Sequence, residues 1–239
     1  MRNIAVIFAG GTGQRMNLGM KPKQFLSLYG KPIIVYTLEV FQRSRDIDAI
    51  VLVTLADWID YAENLKADYE LDKIVSIIPG GDTGQRSICN GLMEARRLYG
   101  DDNVVLIHDG VRPVIDEDLI HRSVDAVRQY GSSITVSPAI ETVITRNADG
   151  NLDEIIDRSR CMHAKAPQSF ILGDICKAHE KAISEGKQDF IDSACLMSHY
   201  GYKLHTIQCA SDNIKITTSI DYFMFKALVD AREQRDVFS

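Results

Sequence analysis

Short, β-branched apolar runs recur along the chain at Ile4–Ile7, Ile50–Thr54, Ile74–Ile78, Val104–Ile107 and Ile134–Val136. Other stretches return an apolar residue every three or four positions: Ile33–Arg43, Trp58–Leu65, Ser87–Tyr99, Glu117–Tyr130, Leu172–Glu185, Asp192–Tyr200 and Ser219–Gln234. The first set predicts strands and the second amphipathic helices. Their alternation is the β-α-β rhythm of a mostly parallel sheet. "AIVLVT" and "NVVLIHD" are apolar almost without interruption, as strands covered on both faces should be.

The segment Glu141–Arg160, "ETVITRNADGNLDEIIDRSR", breaks the rhythm with two short β-like runs on either side of Asp149-Gly150. That pattern predicts a hairpin, and its place between sheet strand and helix makes it a protruding arm. Two strands alone are marginal in water, so such an arm packs on something, and a second copy of the chain is the simplest partner. The expectation is one domain over 1–239, with a dimerisation arm at about 139–162.

Composition narrows the function. The 239 residues are 45 % hydrophobic, enough for a full core, and the formal net charge is −6. An acidic chain without clustered Lys and Arg is a poor nonspecific ligand for nucleic acid or anionic membrane. No apolar run approaches the roughly twenty residues of a membrane span, and a polar Gly-Thr-Gly turn comes too early for a signal peptide. A cytoplasmic protein is expected. The five cysteines (Cys89, Cys161, Cys176, Cys195 and Cys209) form no C-x-x-C pair, so neither a disulfide framework nor a thiolate zinc site is expected, and most of them read as small core residues.

The first strand runs directly into "FAGGTGQRM", Phe8–Met16. In an open α/β sheet, ligands bind beyond the carboxyl ends of the strands, and glycines there let several backbone N–H groups approach one anion. No G-x-x-x-x-G-K-[ST] string exists, and Gly11-Thr12-Gly13-Gln14-Arg15-Met16 lacks the third glycine of a dinucleotide fingerprint. What remains is a loop carrying Arg15, Lys21 and Lys23 over the sheet edge, suited to a triphosphate; a plain turn with solvated basic residues is the alternative.

Three further stretches end near the same edge. "VVLIHDGVRP", Val104–Pro113, finishes a buried strand in His108-Asp109. A carboxylate there is a candidate Mg²⁺ ligand, since that ion takes one or two carboxylates plus substrate phosphates; the competing reading is an Asp that caps the Asp-Gly turn. "IPGGDTGQRSICNGL", Ile78–Leu92, repeats the order of strand, glycine turn and helix, with Ser87 as either an N-cap or a ligand contact. "SDNIKITTSIDYF", Ser211–Phe223, reads as a short strand holding Lys215, ordinarily an exposed edge residue.

Taken together, "AGGTGQRM…PKQF", "GG…RSICNGL", "HDGVRP", "APQSF" and "DNIKIT" resemble, in order over nearly the whole chain, the cytidylyltransferases that activate sugar-alcohol phosphates. The resemblance implies a Rossmann-like α/β fold, helices on both faces of the sheet, and an arm that builds a homodimer. It also implies the reaction of CTP with a polyol phosphate to give CDP-polyol and pyrophosphate, with Mg²⁺. By motif, Ala9, Gly10, Gly11, Thr12 and Gly13 belong to the nucleotide loop, and Arg15 and Lys23 hold the triphosphate. Gly80, Gly81, Asp82 and Ser87 recognise cytidine. Asp109 binds Mg²⁺ or the acceptor, Lys215 is a second basic group at the reacting phosphate, and Arg112 supports it. Arg158 matches the arm position that reaches the acceptor phosphate of the neighbouring subunit.

The methylerythritol enzymes of this family usually carry Thr before Pro-Gln, where this chain has Ala166. Arg160 and Lys165 are the candidates to replace the lost hydroxyl. "FAGG", the long spacer before "PKQF", Trp58 and "DSACLM" lean toward the ribitol 5-phosphate branch. Methylerythritol 4-phosphate is the alternative acceptor. A noncatalytic nucleotide-binding protein or a dehydrogenase are the readings of another class; Lys23, Asp109 and Lys215 argue against the first and the missing glycine against the second.

Overall fold

The computed structural model describes residues 1–11, 21–187 and 189–238, without the side chains of 233 and 235–238. The strands are β1 (Asn3–Ala9), β2 (Ser27–Leu28), β3 (Lys31–Pro32), β4 (Ala49–Thr54), β5 (Ile74–Pro79), β6 (Val104–Asp109), β7 (Ser132–Pro138), β8 (Val143–Arg146), β9 (Leu152–Ile156), β10 (Met162–Ile171) and β11 (Thr206–Gln208). The helices are α1 (Ile33–Arg43), α2 (Ile59–Asp68), α3 (Gly84–Tyr99), α4 (Glu117–Tyr130), α5 (Leu172–Ser184), α6 (Ser193–His199) and α7 (Ser219–Phe238).

Seven strands form one sheet in the order β11-β7-β10-β6-β1-β4-β5, and all neighbours are parallel except at β10. Because successive side chains alternate across a strand, each central strand feeds two cores. Ala5, Ile7, Ile50, Leu52 and Leu106 pack under α1, α2 and α4. Ile4, Val6, Val51, Val53 and Val105 pack against α3, α5 and α6. Gly91 lets α3 lie close on the sheet, since a Cβ there would sit 2.5 Å from Val6 and 2.7 Å from Val53. The result is the expected α/β fold with helices on both faces.

The sheet is larger than the apolar runs predict. β10 and β11 are additions, and β10 carries Pro167 within a strand paired on both sides. Running opposite to its neighbours, β10 brings its first residues to the edge where β6 and β7 end, with Met162 opposite Pro138. The expected strand at Lys215 is absent: Asn213–Thr217 is irregular, held by the Ile216 N–H donating to the Val111 carbonyl at 2.9 Å. The arm is present as β8 and β9, antiparallel, with Gly150 at φ 89° in its turn. Of the cysteines read as core, only Cys89 and Cys176 are buried; Cys195 is exposed.

Candidate active site

β1 and β6 lie side by side with Phe8 opposite Asp109, so the first glycine loop and the Asp109 turn leave the sheet together. Asp109, the last residue of β6, is buried. Its Oδ1 is 2.6 Å from the Lys215 ammonium, and its Oδ2 accepts from Arg112 Nε at 3.2 Å. Burial favours the neutral acid, but the charges of Lys215 and then Arg112 outweigh it and hold the carboxyl below the usual Asp range. The reading of Asp109 as a turn cap gives way to that of an ionised, doubly paired carboxylate.

Arg112 is itself buried, and its Nη1 donates to the Asn213 carbonyl at 2.8 Å. Asn213 Nδ2 donates in turn to the Ala166 carbonyl at 2.9 Å. One polar chain thus fastens the β6 turn, the Lys215 segment and β10 to one another. His108 stabilises the turn from beneath: its Nε2–H donates to the Arg112 carbonyl at 3.0 Å, and burial lowers its pKa to about 4, so the ring is neutral.

The two glycine loops meet at Ser87. Its Oγ accepts from the Gly81 N–H at 3.0 Å and donates to the Thr83 carbonyl at 3.0 Å. A Cβ on Gly80 would lie 2.7 Å from that oxygen, and one on Gly10 would lie 3.1 Å from it. Ser87 is therefore not the cap of α3; Thr83 is, accepting from the Arg86 N–H at 3.1 Å, and the helix starts one turn earlier than its apolar pattern predicts. Asp82 stands exposed just before that cap.

Lys23 opens a short 3₁₀ turn, Lys23–Phe25, and its Cε runs within 3.9 Å of where a Gly11 Cβ would be. The turn is fastened at both sides. Gln24 Nε2 donates to the Ala9 carbonyl at 2.5 Å, and Phe25 stacks on Trp58 at 4.7 Å between ring centres.

Between the end of β6, the start of β10 and the residues before α6 lies a cavity of about 290 Å³. Asp109, Arg112 and Lys215 line it together with Lys165 and Ala166. Among the described residues, Lys23 and Gly10, Gly11, Gly80 and Gly81 do not line it. Among the described residues no group of three His, Cys, Asp or Glu side chains gathers to hold a metal.

Comparison with known proteins gives this arrangement a lineage. The sequence profile of the 2-C-methyl-D-erythritol 4-phosphate cytidylyltransferase family, IspD, matches residues 3–231. The chain belongs to this family. It is 50 % identical over 238 residues to a ribitol-5-phosphate cytidylyltransferase of Streptococcus agalactiae serotype V, covering 100 % of this chain and 99 % of the relative. A 2-C-methyl-D-erythritol 4-phosphate cytidylyltransferase of Syntrophus aciditrophicus is 35 % identical over 233 residues, 97 % of each chain. Among solved structures, 4-diphosphocytidyl-2C-methyl-D-erythritol synthase from Anaerococcus prevotii superimposes with a TM-score of 0.83 at 26 % identity, covering 96 % of both chains.

As an IspD-family cytidylyltransferase, the protein is a nucleotidyltransferase whose described site brings together Asp109, Arg112, Ala166 and Lys215 from the expected set. Thr12, Gly13 and Arg15 lie outside the described residues. Arg158 is exposed on the arm, where its Nη1 donates to the Ile140 carbonyl at 2.7 Å; neither it nor Arg160 lines the cavity. Two groups were not legible. Asn213 carries no signal beyond its place in "DNIKIT", and the clamp of Gln168 on Asp192, at 3.0 Å, joins residues on different elements. Asp192 also caps α6, accepting from the Cys195 N–H at 2.8 Å.

Proposed function

We propose that this cytidylyltransferase transfers CMP from CTP to D-ribitol 5-phosphate, giving CDP-ribitol and pyrophosphate. The observation that carries the acceptor is the full-length identity of 50 % to a relative named for ribitol 5-phosphate, against 35 % to one named for methylerythritol 4-phosphate. Ala166, which offers no hydroxyl to the cavity, supports the same choice.

The acceptor's phosphate oxygen is already a nucleophile at neutral pH, so the reaction needs no general base. That oxygen attacks the α-phosphorus of CTP, the new P–O–P bond forms, and the bond to the β-phosphate breaks as pyrophosphate leaves. Both reactants are anions, so catalysis consists of positioning the attack in line and offsetting charge with groups fixed in advance. Lys215, anchored on Asp109, is one such group, and Arg112 holds the carboxylate from behind. Lys23 and Arg15 would bind the triphosphate, the glycine loops with Ser87 and Asp82 the cytidine, and Arg158 the acceptor phosphate of the other subunit. The donor set fits Mg²⁺, which needs only one carboxylate when phosphates supply the rest, and Asp109 offers an ionised carboxylate on this wall. When bound, the ion would neutralise charge at the phosphates.

The same proposal includes a cytoplasmic homodimer joined through the arm. Ile144 and Ile155, on the two strands of the arm, are exposed at 53 % and 63 %, and an isolated ribbon presenting such residues is a surface that calls for cover. In the described residues no helix is long and apolar enough to cross a membrane.

Pyrophosphate release measured with CTP and Mg²⁺ against ribitol 5-phosphate, methylerythritol 4-phosphate and other pentitol phosphates tests the reading. Ribitol 5-phosphate should give the highest kcat/KM. A preference for methylerythritol 4-phosphate would overturn the acceptor, and silence with every acceptor would overturn the activity.

A further inference from the structure

We infer that Lys165 is the residue with which each subunit grips the acceptor's phosphate from its own side, setting affinity for the acceptor and not for CTP. The inference rests on the cytidylyl-transfer reading above and adds a substrate contact to it.

The backbone around Lys165 is built for aim. On β10, Ala164 faces Val136 and Gln168 faces Ile134, so the three residues Lys165, Ala166 and Pro167 stand opposite Thr135 alone. Bulges of this kind turn side chains out of the ladder, often beside active sites. This one is pinned on both flanks: Thr135 Oγ1 donates to the Pro167 carbonyl at 2.7 Å, and Asn213 Nδ2 to the Ala166 carbonyl at 2.9 Å. Lys165 and Ala166 consequently face the cavity from fixed backbone.

The other charged side chains of the wall each have a partner within it. Arg112 is paired with Asp109 and donates to the Asn213 carbonyl, and Lys215 is anchored on Asp109. Asp192 has one oxygen on Gln168 and the other on the cap of α6. Lys165 alone of the lining cations has no hydrogen bond or ion pair with the described residues. Burial, and then the like charge of Arg112 on the same wall, lowers the ammonium pKa. A half-buried cation facing another cation is stabilised by an anion placed between them. The acceptor is the reactant that brings a phosphate monoester to this wall, since the nucleotide loops lie at the neighbouring strand ends.

The test compares wild-type protein, Lys165→Met and Lys165→Arg at saturating CTP and Mg²⁺ with ribitol 5-phosphate varied, then with CTP varied at saturating acceptor. Removing one charge-assisted contact should raise the acceptor KM about ten- to hundredfold in Lys165→Met, leave the CTP KM unchanged, and be largely reversed in Lys165→Arg. Inorganic phosphate should compete with the acceptor in the wild type and in Lys165→Arg, and far more weakly in Lys165→Met. An unchanged acceptor KM in Lys165→Met, with wild-type turnover intact, would overturn this inference and leave the proposed reaction standing. A raised acceptor KM with phosphate competition undiminished would also overturn it, because the side chain would then be meeting hydroxyls. Both KM values rising together without rescue by Arg would mark a structural role and overturn it too. Wild-type protein inactive with every polyol phosphate would remove the reaction, and this contact with it.

Discussion

The convergence of Gly10 and Gly80 on one hydroxyl can be tested by filling the space. In Gly80→Ala, the new methyl would lie 2.7 Å from Ser87 Oγ, while its next neighbours, Ser87 Cβ at 3.4 Å and the Thr54 carbonyl at 3.5 Å, are at ordinary contact distance. The clash is therefore with a single atom. That atom accepts from the Gly81 N–H and donates to the Thr83 carbonyl, so it cannot swing away without breaking both contacts. Overpacking of this kind costs about 1–3 kcal/mol, which for a chain of this length lowers Tm by about 2–4 °C per kcal/mol. Ser87→Ala alone costs about 1 kcal/mol, because the Gly81 N–H loses its acceptor. The double variant should cost little more than Ser87→Ala by itself, since the obstacle is gone. Urea unfolding of the four proteins of this cycle, with KM for CTP measured in parallel, gives the coupling. Two penalties that add to within about 0.5 kcal/mol would refute the proposed contact.

Three other perturbations address the site, the core and the arm. If Lys215, held on Asp109, stands at the reacting phosphates as proposed, Lys215→Met should reduce kcat about 10²- to 10³-fold in the pyrophosphate assay with the fold retained by circular dichroism; near-normal turnover would remove Lys215 from the chemistry. His179 is buried and its pKa is lowered to about 4, so the unfolded chain binds the proton more tightly. Its contribution is complete above pH of about 6.5 and is lost as pH falls toward 4, about 3 kcal/mol in all; His179→Gln should flatten that part of the stability profile in urea melts, and an unchanged slope would contradict it. Replacing Ile144 and Ile155 together by Asp should convert the protein from dimer to monomer in sedimentation velocity, and a wild-type protein that sediments as a monomer would refute the arm's role.

How much could be read in advance depended on whether a residue's neighbours are local. β4 and β6 announce themselves because both faces are covered, so every position before the polar carboxyl ends at Thr54 and His108-Asp109 is apolar. β10 does not, since its first three residues are exposed and Pro167 sits at the bulge; only the pairing with β6 and β7 makes it a strand. The alternation of Ile214, Lys215 and Ile216 mimics a strand for another reason. Ile216 is fully buried beside Val111 while Lys215 turns to Asp109, and no ladder is involved. The start of α3 was misplaced because Gly84 and Gln85 are helical without being apolar, so pattern alone passed over the cap at Thr83. In the site, Asp109 and the glycine turns showed themselves by standing at strand ends. Lys215 acquired a role only through the family resemblance, because nothing local ties it to the carboxylate at the end of β6.

Trp58 is the chain's sole tryptophan, and its indole stacks on Phe25, two residues beyond Lys23. The unmodified enzyme thus carries its own optical gauge next to the lysine proposed to hold the triphosphate, and nucleotide arrival there should change its intrinsic emission, in real time and without a dye.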